Sequence, residues 1–306
     1  MDNLGYCCIN LTLREKGIYT NRSMIKKTFL EKGPEYAGEL ALLNIRDLLA
    51  ILEWNVANNI RIFRISSTIF PWMSEYDFED LPNFNEIESA LLDVGMYIID
   101  NNLRVGFHPG QFCVLPSPTP KVVNSTIDEL DKAAKILDLM GLPINHKFSL
   151  NIHVGGSYGD KDDTLKRFCE NFSRLSESAQ KRLVVENDDK ASQYSVQDLY
   201  NGIYSKIKVP ITFDFFHHTF CTGDLSTDDA AQLAASTWPD DIRPLAHYSS
   251  SKKINEDSSV VNRSHADYIY EQIPDISDIF DIEIEAKSKE LALIKYINQY
   301  KKEILV

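Results

Sequence analysis

The residues Leu183-Val184-Val185-Glu186-Asn187-Asp188-Asp189 join a short apolar run to an acidic end. A run this short, rich in valine, predicts a buried strand. On either side, at 164–179 and 196–204, apolar residues recur three and four positions apart, which is the spacing of an amphipathic helix. The stretch therefore predicts a helix–strand–helix unit with the carboxylate of Glu186 at the carboxyl end of the strand.

The same alternation repeats along the 306-residue chain. The predicted strands lie at 4–9, 60–65, 103–107, 148–154, 183–185, 209–215, 242–246 and 279–284. The predicted helices lie at 40–57, 87–101, 127–140, 164–179, 196–204, 227–236, 261–272 and 288–301. Eight strand–helix units predict an α/β fold, a (β/α)8 TIM barrel, as one domain over residues 1–306. An open doubly wound sheet is the alternative, and the Gly-rich dinucleotide motif typical of it is absent from the sequence.

Composition narrows the class of protein. The net charge of −13 is unlike that of a general nucleic-acid coat protein. The five cysteines include no CxxC pair, which indicates reduced thiols in a cytoplasmic protein. The residues Met1-Asp2-Asn3-Leu4-Gly5 lack the basic and long apolar regions of a signal peptide, so we expect none, and no apolar run reaches the roughly 18 residues of a membrane span. We therefore expect a cytoplasmic protein without a membrane partner. The sequence carries no clear signal for oligomers, and we expect a monomer.

The first predicted connection, at 11–38, is locally basic despite the acidic chain. Its cations are Arg14, Lys16, Arg22, Lys26, Lys27 and Lys32, against Glu15, Glu31 and Glu35. Connections that follow strands lie on the catalytic face of such a barrel. We interpret this one as an arm that contacts phosphates, with an ordinary solvated loop as the alternative.

Histidines and carboxylates stand at or just after predicted strands three to eight. They are His108, His153, Glu186, Asp214, His217, His247, His265, Glu283 and Glu285. A barrel gathers these strand ends at one mouth, where carboxylates without cations would cost several kcal/mol in repulsion and desolvation. Imidazole and carboxylate ligands suit zinc, manganese or iron(II). The sequence predicts a cluster of two or three divalent metal ions, and a polar mouth without metal is the alternative.

The ordered motifs carry a more specific signal. They are Phe107-His108-Pro109-Gly110-Gln111-Phe112, Asn151-Ile152-His153-Val154-Gly155-Gly156, Val185-Glu186-Asn187-Asp188-Asp189, Phe213-Asp214-Phe215-Phe216-His217-His218 and Glu283-Ile284-Glu285-Ala286-Lys287. Together they resemble the UV damage endonuclease family, from Gly5-Tyr6 to Lys289-Glu290. The resemblance implies a barrel related to type IV apurinic endonucleases. It also implies metal-dependent incision of DNA immediately 5′ of UV photoproducts (cyclobutane dimers and 6-4 products), with abasic sites as further candidate substrates.

The resemblance also implies roles for individual residues. One ion would be held by His108, His153 and Glu186, and a second by Glu186, Asp214, His247 and Glu285, with Glu186 as the bridge. His217 and His265 would hold a third ion, weakened because Leu245 and Arg263 stand where relatives carry lysine and aspartate. Glu186 and Lys287 are the expected catalytic residues. Mn²⁺ is the expected metal, with Zn²⁺, Co²⁺ and Mg²⁺ as alternatives.

Damaged double-stranded DNA is the expected partner. Its expected contacts are Tyr6, Asn10, Arg64, Ser67, Gln111, Phe112, Lys252 and Arg263. The family's Gln-Tyr pair, thought to wedge into the duplex with Tyr6, reads Gln111-Phe112 here and keeps the aromatic face that stacking needs. Two other functions fit parts of this pattern: a sugar isomerase on the same barrel, and a non-catalytic protein that binds damaged DNA.

Overall fold

The computed structural model describes residues 3–301, and in it eight parallel strands close into a barrel in chain order. The strands are β1 (Leu4–Cys7), β2 (Ile62–Ile65), β3 (Arg104–Phe107), β4 (Leu150–His153), β5 (Leu183–Glu186), β6 (Ile211–Asp214), β7 (Leu245–Tyr248) and β8 (Asp281–Ile284). β1 pairs with β8, with Gly5 opposite Glu283, and this pairing closes the ring. The predicted (β/α)8 TIM barrel and all eight of its strands are confirmed.

The connections carry α-helices outside the barrel. They are α1 (Leu11–Arg14), α2 (Lys26–Ala57), α3 (Phe84–Asp100), α4 (Pro120–Leu139), α5 (Lys161–Phe172), α6 (Glu177–Arg182), α7 (Val196–Leu199), α8 (Ser205–Ile207), α9 (Phe215–His218), α10 (Thr227–Ala235), α11 (Lys252–Asn255) and α12 (Lys289–Tyr296). Turns of 3₁₀ helix lie at Met73–Glu75, Phe78–Asp80, His146–Phe148 and Asp275–Ile279, and π-helical turns at Tyr200–Tyr204 and Ile297–Lys301. The helix predicted at 164–179 is two helices, because the side chain of Ser176 caps the start of α6.

The sequence predicts a loop over the whole first connection, but the structure contains helix there. The connection contains α1 and the first part of α2, which begins fourteen residues before the predicted helix start. α2 bends at Gly33 (φ 67°, ψ −167°), a backbone conformation that favours glycine. Pro34 follows, at the start of the second half, where proline is tolerated because its missing N–H needs no helical partner.

The helix predicted at 261–272 is wrong. Instead, His265 forms an antiparallel bridge with Ser251, and the N–H of Ala266 donates to the carbonyl of Ser250 (2.9 Å). On the other side, the N–H of Lys287 donates to the carbonyl of Ala266 (3.0 Å). The loops after β7 and β8 therefore take the hydrogen-bonding groups that a helix would use internally. This pinned segment, residues 264–267, carries His265 to the carboxyl end of the barrel.

The apolar core lies between the barrel and its helices, whereas the barrel interior is largely polar. Phe63, Val105 and Ile282 belong to the outer apolar layer. Inside, Arg64 on β2 and Arg104 on β3 both reach carboxylates on β8. Because β8 neighbours neither β2 nor β3, these side chains cross the interior. Arg104 and Asp281 begin their strands, so their pair lies at the opposite end of the barrel from the mouth, whereas Arg64 lies nearer the carboxyl ends.

The remaining sequence expectations concern membranes and thiols. None of the helices among residues 3–301 combines the length and the apolar character that a bilayer crossing requires. All five cysteines are free, as predicted.

Candidate metal centre

Glu186, at the end of β5 and 1% exposed, is the residue on which the polar groups of the mouth converge. Its Oε2 accepts a hydrogen bond from Asn151 Nδ2 (2.5 Å) and lies 3.1 Å from His108 Nε2. Its Oε1 lies 3.1 Å from His247 Nδ1 and 3.3 Å from His217 Nδ1. One carboxylate thus contacts side chains contributed by four other strands or strand ends, which is the placement of a bridging ligand.

The first predicted ligand set is brought together. His108, His153 and Glu186 each offer a ligand atom, and these atoms lie within 4.8 Å of one another. His153 Nδ1 lies 3.0 Å from Asp188 Oδ1, while its Nε2 faces Glu186. A carboxylate behind an imidazole fixes the ring's orientation and tautomer. Sequence reasoning assigned Asp188 no role, although its position two residues after Glu186 was a usable signal.

The second set differs from the prediction. The ligand atoms that lie within 4.8 Å of one another belong to Glu186, Asp214 and His217, whereas His217 was assigned to a third ion. Asp214 caps α9, because its Oδ1 accepts from the N–H of His217 (2.8 Å), and the cap turns that ring back over the mouth. His218 packs against Phe213 instead (ring centroids 5.4 Å apart).

His247 and Glu285, predicted as second-ion ligands, lie beside that group and contact Arg64. Glu285 Oε1 lies 3.5 Å from His247 Nδ1 but 2.6 Å from Arg64 Nη1. Glu285 Oε2 lies 3.6 Å from His265 Nδ1, so His265 reaches the cluster through this carboxylate. Arg64 was expected at a DNA surface, and the structure corrects this: it is 8% exposed and bound inside the barrel.

The buried carboxylates and imidazoles of the cluster shift one another's pKa values. Burial alone would raise the pKa of Glu186, but His247 and His153 lower it well below its usual value. Burial opposes the charge of His247, yet Glu186 raises its pKa to about 10. Burial raises the pKa of Asp214. The nearby His217 opposes this rise, and the negative charge of Glu186 adds to it. Protons held on imidazoles between carboxylates are the protons that a bound metal ion would displace.

The residues present fit such an ion. Within residues 3–301, Glu186 Oε1, Asp214 Oδ2 and His247 Nδ1 are buried and lack a well-directed hydrogen bond, although Glu186 Oε1 and His247 Nδ1 lie 3.1 Å apart as an ion pair. Buried polar atoms normally have partners, so three such atoms around one mouth indicate a missing cation partner. Nitrogen and carboxylate-oxygen ligands without thiolate suit manganese or zinc.

The expectation that Tyr6 and Asn10 contact DNA is wrong in this structure. Both side chains are fully buried. Tyr6 Oη donates to Asn55 Oδ1 (2.7 Å) and accepts from Asn10 Nδ2 (2.9 Å). Tyr6 therefore faces α2 and the apolar layer, and neither residue reaches the mouth.

Gln111 and Phe112 do lie at the surface, next to the cluster. Phe112 is 82% exposed, and Gln111 lines a cavity of about 410 Å³ together with His153 and His217. Ser67 is half-buried. Two contacts fix this loop: the N–H of Val114 donates to Thr126 Oγ1 (3.0 Å), and the N–H of Cys113 donates to the Gly110 carbonyl (2.9 Å).

The predicted phosphate contacts fall into two groups. Lys252 is paired with Asp267 (3.0 Å), and Arg263 with both oxygens of Asp189 (3.0 and 3.1 Å), so their charges are already partly balanced. Arg22 pairs with Asp47 (2.7 Å) and is structural. Among the cations of the basic first connection, Arg14, Lys16, Lys26, Lys27 and Lys32 are exposed, and so is Lys287.

Known proteins resemble this chain along almost its whole length. The sequence profile of the family described as UV-endonuclease UvdE matches residues 2–305. A UV DNA damage endonuclease of Clostridium perfringens is 33% identical over 97% of this chain and 70% of its own length. The crystal structure of SacUVDE superimposes with a TM-score of 0.86 at 31% identity over the whole of both chains. Endonuclease IV from Thermus thermophilus (TM-score 0.57, 11% identity, 98% and 99% coverage) shares the fold alone. With a profile match across nearly all of its length and relatives above 30% identity, this chain belongs to the UV-endonuclease UvdE family.

Proposed function

We propose that this protein is a metal-dependent DNA endonuclease, a hydrolase that incises the duplex immediately 5′ of UV photoproducts. The observation that supports it most is the convergence of three histidine rings and a buried amide on the one carboxylate of Glu186. The named activity of the relatives supplies the substrate class.

In this proposal the chain holds two ions firmly. His108, His153 and Glu186 hold one. Glu186 and Asp214 hold the other with His217 and His247, and Glu285 completes it. When bound, the ions would polarise the scissile phosphate and lower the pKa of the attacking water. Mn²⁺ is the first candidate metal, and a weaker third ion would sit near His265.

The protein's own residues position the phosphate and its charge. Glu186 fixes the spacing of the ligand groups, because both of its oxygens are already directed by neighbours on opposite sides. Lys287 is exposed beside the pinned segment, where its charge would stabilise the negative charge that develops on the phosphate. The remaining exposed cations would hold the flanking backbone by contacts that carry no sequence preference.

Phe112 is the proposed wedge at the lesion, with Gln111 beside it. A large aromatic side chain with little buried surface gains nothing for folding in that position, whereas it can stack on an unstacked base. A photoproduct is already poorly stacked, so extrusion costs less there than at a normal step. Selectivity would then come from deformability of the duplex, as well as from the cavity lined by Gln111.

The test is to incubate the protein and Mn²⁺ with UV-irradiated and untreated supercoiled plasmid. Selective nicking of irradiated plasmid is expected, and an end-labelled duplex with one dimer should be cut on its 5′ side. Glu186→Ala should abolish nicking, whereas His146→Ala, a histidine substitution outside the cluster, should retain it. Retardation without nicking would indicate a binding protein, and no effect on either plasmid would favour the isomerase.

A further inference from the structure

Arg64 makes three close contacts at the edge of the cluster, where it is almost fully buried. Its Nε lies 2.6 Å from Glu283 Oε2, and its Nη1 lies 2.6 Å from Glu285 Oε1. Its Nη2 lies 2.7 Å from His247 Nε2. Two of these three partners, Glu285 and His247, are proposed metal ligands, so the guanidinium and a metal ion would share them.

The first place where Arg64 and a metal ion would compete is Glu285. The oxygen of Glu285 that faces His247 is Oε1, 3.5 Å from His247 Nδ1, whereas Oε2 faces His265. Oε1 also accepts the ion pair from Arg64. A divalent ion and a guanidinium on one oxygen would bring two cations together in a buried site, where their repulsion is poorly screened. Binding of the ion therefore weakens the contact between Arg64 and Glu285.

The second place is His247, and it is independent of the first. His247 Nδ1 faces Glu186, so a metal ion bound there takes the Nδ1 lone pair and leaves the ring's proton on Nε2. An arginine has no acceptor, so Nη2 at 2.7 Å cannot receive that proton. Glu283 Oε2, 3.4 Å from Nε2, is an acceptor.

Competition at both places requires Arg64 to move in the same way. We propose that Arg64 competes with the divalent ion for Glu285 and His247, and that Glu283 keeps Arg64 paired while those two ligands turn to the ion. In this exchange every buried charge keeps a partner. A buried charge left without one would cost too much free energy for the exchange to occur. Arg64 thereby sets the affinity of this position. The proposal rests on the proposed metal dependence.

The test is calorimetric titration of Mn²⁺ alone into protein freed of metal by a chelator. Arg64→Gln should tighten the Mn²⁺ site that includes Glu285 and His247 by about tenfold, the effect of removing one charge-assisted contact. Arg64→Lys keeps the charge but loses the fork that spans both carboxylates, so it should tighten the site less. Glu283→Gln should weaken it, because Arg64 would then depend on Glu285 alone.

The matched control is Arg104→Gln. Arg104 is also a buried interior arginine paired with a carboxylate on β8, Asp281 (2.8 Å), but it has no contact with the proposed ligands among residues 3–301. Its substitution should change Mn²⁺ affinity by less than about twofold, a change of only a few tenths of a kcal/mol. Circular dichroism melts of each variant establish folding, and if Arg64→Gln does not fold, the Arg64→Lys comparison decides.

The outcomes separate this proposal from the proposed function. Mn²⁺ binding by the unaltered protein, with equal or weaker binding by the Arg64 variants, overturns the competition alone. Tighter binding by Glu283→Gln overturns the exchange role of Glu283. If the unaltered protein binds no Mn²⁺, both the metal dependence and the competition are overturned.

Discussion

Replacing Phe112 by alanine should separate folding from DNA processing. Full burial of a phenylalanine side chain stabilises a fold by about 1.5–3 kcal/mol. Since Phe112 is 82% exposed, its removal should cost about 0.5 kcal/mol of unfolding free energy or less. Stacking of one base on an aromatic ring is worth about 1–3 kcal/mol, which corresponds to about 5- to 150-fold in affinity.

The assay combines thermal melting with nicking kinetics on a duplex that carries one thymine dimer. Phe112→Ala should leave the melting temperature within about 2 °C and lower kcat/KM by the factor expected for stacking. Phe112→Tyr should stay close to the unaltered protein, because it keeps the ring. The matched control is Met96→Ala. Met96 lies on the outer surface of α3, and it is 57% exposed. Unchanged kcat/KM in Phe112→Ala would refute the wedge.

Three further predictions concern single groups. Tyr6→Phe should lower the unfolding free energy by about 1–3 kcal/mol in urea titrations, because it removes a buried hydroxyl with two hydrogen bonds, and nicking should be unchanged. Asp188→Asn should weaken Mn²⁺ binding by about 10- to 100-fold in calorimetry, since the ring of His153 loses its orienting carboxylate; equal affinity would contradict this. Burial, and then the nearby Arg104 charge, lower the pKa of His146 to about 4, so the folded protein favours the neutral ring. The resulting stability is present above the unfolded pKa of about 6.5 and is lost as pH falls towards 4; urea titrations at pH 7 and 4.5 should show His146→Gln losing about 2 kcal/mol less than the unaltered protein.

The strands were predictable because a parallel barrel buries both faces of each strand, which leaves short, nearly continuous apolar runs. The segment at 261–272 was not. Ala266 and Ile269 are three positions apart, as on one face of a helix, and both are buried. Apolar spacing reports which side chains are buried, but it does not report that neighbouring loops have already taken the backbone groups of the segment.

Part of the site followed from the rule that parallel strands gather their carboxyl ends at one rim. That rule brought His108, His153 and Glu186 together. It could not orient Tyr6, because β1 is buried on both faces and its hydropathy gives no sign of which residues point inward. The same rule could not predict the position of Arg64. A basic residue at a strand end is equally consistent with a phosphate contact and with a counter-ion of buried carboxylates.

The pinned segment 264–267 has a consequence for engineering. Its backbone is fixed on one side by the loop after β7 and on the other by the loop after β8, and Glu256 also accepts from the N–H of Asp267 (2.6 Å). The length of the exposed stretch at 257–262 therefore does not determine where His265 lies. A peptide tag or a dye-acceptor sequence inserted in that stretch would sit at the rim of the mouth and leave the ligand spacing intact. We therefore expect residues 257–262 to accept a reporter near the mouth.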